Sequence, residues 1–394
     1  MLAGLARLGE VELFTLVSRE RIDEYRAPPD VSLGRVGVAE VPAPTGSLLR
    51  RMRWLFFGRL PAYVAHRDFG EVRAAFRGWA ADHYDLVWFS RAESYVALGP
   101  CVRAPLIVDF DDLEDYKIAA RQAAWPLAEE ANGRALPRIF GRWIGWVGGT
   151  RSVRLIREHR QTILAAVRAA VVCSEQDRQR LQAAHVRVIP NGYAYPVRPV
   201  GRPEVQPTPV IVIPGSLTYG PNIDAAHYFI VRILPLLRRR LPAVRVRLVG
   251  QADRTVQRLH RPPAVTVTGV VPDITAELAG ADLIAVPIRF GGGTRIKVLE
   301  AFAHRIPLVS TPAGVEGIEA AGGRELLIAD TPADFAAACF TLLTDLELRR
   351  ALVEAGHALY LERYRWDRIQ EQIASLGAVV AASGETGRPR AADP

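Results

Sequence analysis

The stretch ADLIAVPIRFGGGTRIKVLEAFAHRIPLVST, residues 281–311, passes from a strand-like apolar run through a glycine triplet into an amphipathic helix and out into a second strand-like run. That succession is the unit of a parallel sheet covered by helices. Gly291, Gly292 and Gly293 let the backbone approach an anion closely. A helix begun near Thr294 points its N–H groups and positive dipole end at the same spot. Arg295 and Lys297 add full charges, and a cation in a first helical turn opposes the dipole unless an anion is also there. Lys297 is one of only two lysines among fifty basic residues, and a compact ammonium suits phosphate as a point charge. Glu300, one turn further on, supplies an acceptor for sugar or ribose hydroxyls. These parts fit a nucleoside diphosphate sugar.

Outward from this segment, apolar runs alternate with helical patterns almost throughout. The first half offers 11–17, 84–90, 104–110, 169–174 and 186–192 as strands; the second offers 209–217, 244–250, 265–271, 281–287 and 306–314, with 325–330 as an edge. The expected fold class is α/β, with two doubly wound Rossmann-like domains. Residues 1–192 form the first, completed by 365–376, and 209–364 form the second. The proline-rich, aperiodic 193–208 reads as the linker, and 377–394 as a disordered tail. The chain opens on MLAGLARLGE, read as a helix with Leu2, Leu5 and Leu8 on one face, where such a domain normally opens on a strand and glycine turn. The first domain is therefore expected to lack that strand and loop, the true beginning lying upstream of Met1.

A chain of 394 residues suits two domains, and 49% hydrophobic with 23% charged residues is a globular composition. No apolar run reaches the roughly eighteen residues needed to span a bilayer. Cys101, Cys173 and Cys339 are odd in number and widely spaced, which indicates neither a disulfide framework nor a zinc site and fits a reducing cytoplasm. The net charge of +8 is concentrated in two stretches, 50–77 and 134–160, where arginines interleave with Trp, Phe and Tyr. That pattern suits peripheral contact with the inner face of an anionic membrane, or a lipid phosphate acceptor. The alternative is ordinary helices with arginine on a solvated face. No nucleic-acid motif accompanies the charge, so nucleic acid is not expected as a partner.

Taken together, VVCSEQDRQRL (171–181), PGSLTYGPNIDAAHYFIVRILPLL (214–237), residues 265–318 and YRWDRIQEQI (364–373) resemble, in order and spacing, the family 4 glycosyltransferases of GT-B fold, closest in pattern to sugar transferases of exopolysaccharide clusters. The resemblance implies two Rossmann-like domains facing a cleft, with the last helix crossing back to brace the first. It implies transfer of a sugar from a nucleotide-sugar donor to a glycan or polyprenyl-linked acceptor, with retention of configuration, no metal and no cofactor. In that family a glutamate pair eight positions apart flanks the phosphate-binding helix start; here the second matches Glu300, a ribose contact, but the first falls on Gly292. An Arg and a Lys usually found in the loop after the second domain's first strand are absent from GSLTYGPN, where Pro221, Asn222 and Asp224 match a variant pattern. Arg295 and Lys297 are expected to take over the phosphate contacts and to act in catalysis. Donor contacts are expected from Gly291, Gly292, Gly293, Thr294, Gly215, Ser216, Asn222, Val270 and Glu300, and Glu316 is placed to replace the missing sugar contact.

IVDFDDLEDY puts Asp109, Asp111 and Asp112 at the C-terminal end of a strand, where ligands sit in open α/β sheets. Asp109 and Asp111 are expected to face the acceptor. Helix capping by Asp111 or Asp112, and a metal-binding Asp-x-Asp, are the competing readings. His66, His83, His185 and His304 read as structural. The rivals in function are a nucleotide-sugar epimerase and a catalytically silent nucleotide-sugar-binding subunit. A nicotinamide dehydrogenase fits least, since no GxGxxG follows the first strand of either domain.

Overall fold

The computed structural model describes residues 1–44, 48–81, 83–123, 139–196, 198–201 and 204–385. The chain forms two compact units. One gathers Met1–Ala119, Pro137–Ile189 and the chain from Ile369 on; the other centres on Pro190–Arg368.

The first unit carries a four-stranded parallel sheet, β3 (Val87–Ser90), β4 (Leu106–Asp109), β5 (Ala169–Val172) and β6 (Val186–Val188), in that spatial order. β5 is buried along its whole length, the mark of a strand covered on both faces. Helices Gly70–Trp79 and Ile139–Ala166 cover one of the faces, where Val72, Phe76, Ile163 and Leu164 pack with Val108, Ala170 and Val172. Beside this sheet lies a parallel pair, β1 (Leu13–Val17) with β2 (Val36–Glu40). β2 is missing from the sequence reading because its hydrophobic pattern is inverted: Val36 and Val38 are exposed while Gly37 and Ala39 are buried. A side chain at Gly37 would meet the Phe14 ring at 2.5 Å, so only glycine lets that ring close over the pair.

The ends of the chain correct two expectations. The opening helix spans only Leu2–Leu5, not the whole of residues 1–10, and Gly4 packs on Ile373 of the last helix. That last helix runs Trp366–Glu385, so residues 377–385 are helical and not part of a disordered tail. It buries Ile369, Ile373 and Val380, one face at helical spacing. Residues 386–394 lie outside the described residues, as do Arg134 and Arg138 of the second basic stretch and positions 197, 202 and 203 of the linker.

The second unit is a six-stranded parallel sheet. Its strands are β7 (Val210–Pro214), β8 (Arg245–Val249), β9 (Val265–Gly269), β10 (Leu283–Val286), β11 (Leu308–Ser310) and β12 (Leu327–Ile328), in the order β12-β11-β10-β7-β8-β9. β12 is the expected edge. Each face has its own core. Ile211 and Ile213 pack with Phe229 and Phe335 on one side, while Val212 packs with Leu299, Phe302 and Tyr360 on the other. Continuous apolar strands are what two covered faces require, and the central β7 and β10 have that form, whereas β8 and β9 alternate apolar with polar residues.

Chain order runs outward from β7 to β9 and then resumes on the opposite side of β7 at β10. The sheet therefore has its switch point between β7 and β10, and ligands of open α/β sheets bind outside the strand ends at such a point. The neighbouring strand ends are drawn close as well. Gly250, after β8, has φ +131°, and a Cβ there would lie 2.1 Å from the Gly215 carbonyl oxygen. No other residue fits that position without moving the β7 loop.

Candidate active site

At the switch point, β7 leads into Gly215 and Ser216, and β10 leads through residues 287–290 into the glycine triplet. Gly215, Gly291 and Gly293 have φ of +139°, +117° and +88°, a region that favours glycine. Two helices begin here, Gly220–Tyr228 after the first loop and Ile296–Ala303 after the second. The loops nest: Pro221 Cγ lies 3.1 Å from where a Cβ on Gly291 would sit.

Lys297 joins the two loops. Its ammonium donates to Asn222 Oδ1 at 2.9 Å, and Asn222 Nδ2 in turn donates to the Ser216 carbonyl at 2.8 Å. A Cβ on Gly215 would stand 3.0 Å from the ammonium, so the bare glycine makes room for it. The ammonium end is enclosed by protein although the side chain as a whole keeps some exposure. Burial first, and the Arg295 charge second, bring its pKa down to about 7, against a smaller opposing pull from Glu300.

Arg295 behaves differently from the sequence expectation of a first-turn cation. The helix starts at Ile296, and Arg295 is its cap, with φ −82° and ψ 76°. The residue is 6% exposed, and its guanidinium donates to the Gly292 carbonyl at 3.1 Å and the Ala313 carbonyl at 3.2 Å. It thus braces the glycine run against the turn that carries Glu316, which is itself partly buried. Its charge still acts at short range on Lys297.

Glu300 is buried on the same helix, and Tyr193 donates to its Oε1 at 3.1 Å. Burial raises the Glu300 pKa, partly offset by that hydrogen bond and by Lys297. The Tyr193 hydroxyl also lies 3.5 Å from His304 Nε2, and Asn191 donates to the Thr294 hydroxyl at 3.3 Å. Tyr193 was not read as a site residue, because a tyrosine in NGYAY carries no signal until the fold sets it beside Glu300. Arg289 was missed too. It grips Asp224 through Nε at 2.9 Å and Nη2 at 2.5 Å and stacks over Tyr228 at 4.5 Å. Asp224 is buried, so this fork fixes the helix Gly220–Tyr228 to the end of β10. Ser216 is exposed with its hydroxyl 2.9 Å from that of Thr218, and Val270, after Gly269, is 75% exposed.

The aspartates of the first unit form a separate cluster. Asp109, at the end of β4, accepts from the Asp111 backbone N–H at 2.9 Å, and burial first, with the nearby Asp111 charge, pushes its pKa to about 6. Asp111 sits at φ 51° and lies 3.7 Å from Arg91; Asp112 is paired with Lys117 at 3.0 Å. Among the described residues no group of three His, Cys, Asp or Glu side chains converges as a metal site.

Residues 208–345 match the family described as Glycosyl transferases group 1. No curated protein matches the chain. Among solved structures it is similar to HepE from Anabaena in complex with UDP and glucose, at 16% identity over 86% of this chain and 85% of that one, TM-score 0.54. It is also similar to sucrose-phosphate synthase from Thermosynechococcus elongatus, at 18% identity over 97% and 92%, TM-score 0.63. A glycosyltransferase from Rickettsia africae shares 13% identity over 96% and 92%, TM-score 0.58. At these identities the likeness is one of fold, that of the GT-B glycosyltransferases.

The Lys297 pKa carries a stability consequence. Below pH 7 both folded and unfolded chains hold the proton, and the fold bears the cost of burying it. Between about 7 and 10.5 the unfolded chain keeps a proton the folded one has released, so stability rises with pH across that window. Lys297→Met is expected to stabilise the nucleotide-free protein by roughly 1–3 kcal/mol at pH 6, discounted for residual solvent, and by less at pH 9.5. Urea melts at the two pH values check this; a gain independent of pH would contradict it.

Proposed function

We propose that this GT-B glycosyltransferase moves a sugar from a nucleoside diphosphate sugar to a glycan or lipid-linked acceptor in cell-surface glycan synthesis, with retention of configuration and without a metal. The observation that carries the reading is the Lys297 ammonium, held beside Gly215 at the switch point between the starts of two helices. An ammonium that burial penalises becomes favourable once a diphosphate lies against it. Departure of the nucleoside diphosphate builds charge on phosphate oxygens, and a fixed donor aimed there lowers the barrier. Glu300, held by Tyr193, is suited to the ribose hydroxyls. Asn222 aims Lys297, and Arg295 secures the glycine loop while adding positive potential. With the leaving phosphate itself helping to deprotonate the acceptor, no enzymic base is required.

The UDP bound to HepE makes UDP-sugars the first donors to try. Lys297→Ala is expected to cut turnover about a hundredfold or more with the fold intact, the loss typical of one missing charge-stabilising donor. Nucleotide release from UDP-glucose, with and without a polyprenyl-linked acceptor extract, measures it. Turnover within threefold of the parent chain removes Lys297 from the mechanism. Sugar interconversion without nucleotide release would make the protein an epimerase, and donor binding without turnover a silent binding subunit.

The same reading includes contact with an anionic bilayer on the cytoplasmic side. Phe56 and Phe57 are 64% and 76% exposed beside Leu60, Arg53 and Arg59, which supports an aromatic and basic footing. No helix of the described residues is long and apolar enough to cross a membrane. A Phe56→Ser/Phe57→Ser variant is expected to lose about tenfold in co-sedimentation with phosphatidylglycerol vesicles. Equal sedimentation of both proteins would count against the contact.

A further inference from the structure

Glu300 shares its helix face with a second buried titratable group. His304 follows one turn later and is 3% exposed, and both side chains reach the Tyr193 hydroxyl, which lies 3.1 Å from Glu300 Oε1 and 3.5 Å from His304 Nε2. All three residues belong to the second unit. Tyr193 is pinned through its backbone: its N–H donates to the Tyr364 carbonyl at 2.9 Å, and its carbonyl accepts from the Tyr360 hydroxyl at 3.2 Å. His304 is pinned likewise, its N–H donating to the Glu300 carbonyl at 3.0 Å and its carbonyl accepting from the Gly201 N–H at 2.7 Å. The available protons then fix the direction of the chain. Burial first, with the Glu300 charge second, raises the Tyr193 pKa, and burial lowers that of His304, so near neutral pH the hydroxyl keeps its proton and the ring is uncharged. A tyrosine has one proton to give, and the Glu300 carboxylate takes it. His304 Nε2 must therefore carry the ring hydrogen and donate to the Tyr193 oxygen. That leaves Nδ1 as the bare acceptor, and Nδ1 is the ring atom found buried with no partner among the described residues. Glu300 Oε2, by contrast with Oε1, has no hydrogen bond or ion pair among the described residues.

We propose that Tyr193 and His304 are positioning residues that set the donor's sugar specificity: the chain His304–Tyr193–Glu300 locks one carboxylate oxygen so that the other selects a ribonucleotide over its deoxygenated form. The inference rests on the glycosyl-transfer reading above. A carboxylate on a free side chain turns to meet whichever donor arrives, whereas one with Oε1 held presents Oε2 in a single direction. A hydroxyl bonded to a charged acceptor makes one of the stronger hydrogen bonds. A site built around such a bond rejects an analogue without the hydroxyl, because its buried acceptor is then left unpaired. His304 completes the lock, since an N–H on the Tyr193 oxygen leaves the hydroxyl proton no direction but toward Glu300. Neither residue meets the phosphate, whose charge falls to Lys297. Loss of the lock should therefore appear in the donor KM and spare kcat.

The test titrates the full chain calorimetrically with UDP, ADP and GDP, and compares the tightest of these with its 2′,3′-dideoxy form. The parent chain is expected to prefer the ribonucleotide by about a hundredfold. Tyr193→Phe should lose about tenfold in affinity for the ribonucleotide yet stay within about twofold for the dideoxy form, which also reports that the variant folds. His304→Leu should lower the selectivity in the same direction, by about threefold. Equal losses on both nucleotides would mark a tyrosine that only supports the fold, and overturn the inference. Unchanged selectivity in either variant overturns it as well, and in both cases the transferase reading stands. Absence of affinity for every nucleotide strikes the transferase reading itself, and the inference with it.

Discussion

The second unit is organised around a buried ammonium. Lys297 sits where the sheet reverses its strand order, and its hydrogen bond to Asn222 holds together two loops that leave β7 and β10. Gly215, at φ +139°, is favoured as glycine by its backbone and brings the ammonium close, and Gly250 must be one to let the Gly215 carbonyl approach. The Arg289–Asp224 fork links the helix Gly220–Tyr228 to the segment after β10, and Arg295 ties the glycine run to the turn after β11. The strain of assembling so much positive charge is concentrated at one point. That point is where an anion would relieve it.

The sheet of the second unit was legible because β7 and β10 are uninterrupted apolar runs, and β8 and β9 alternate apolar with polar residues, between glycine loops and amphipathic helices. β2 was not, since there the buried residues are Gly37 and Ala39 and the valines face out. Spacing on one helix placed Lys297 and Glu300 correctly on neighbouring turns. It could not show that Arg295 caps the helix, because that follows from carbonyls at positions 292 and 313. Tyr193 and Arg289 were equally out of reach: each becomes meaningful only through a partner 107 or 65 positions away.

The two units divide the polar chemistry. The second presents cations and helix starts suited to a diphosphate. The first presents carboxylates, with Asp109 raised to about 6 beside the Arg91–Asp111 and Lys117–Asp112 pairs.

The central claim is that the Lys297 ammonium is held ready for a diphosphate. Calorimetric titration of UDP at pH 8, in two buffers of different ionisation heat, counts the protons taken up. With a starting pKa of about 7, the account predicts uptake of close to one proton per nucleotide, lost in Lys297→Met. Binding without proton uptake, or uptake unchanged in the variant, would contradict it.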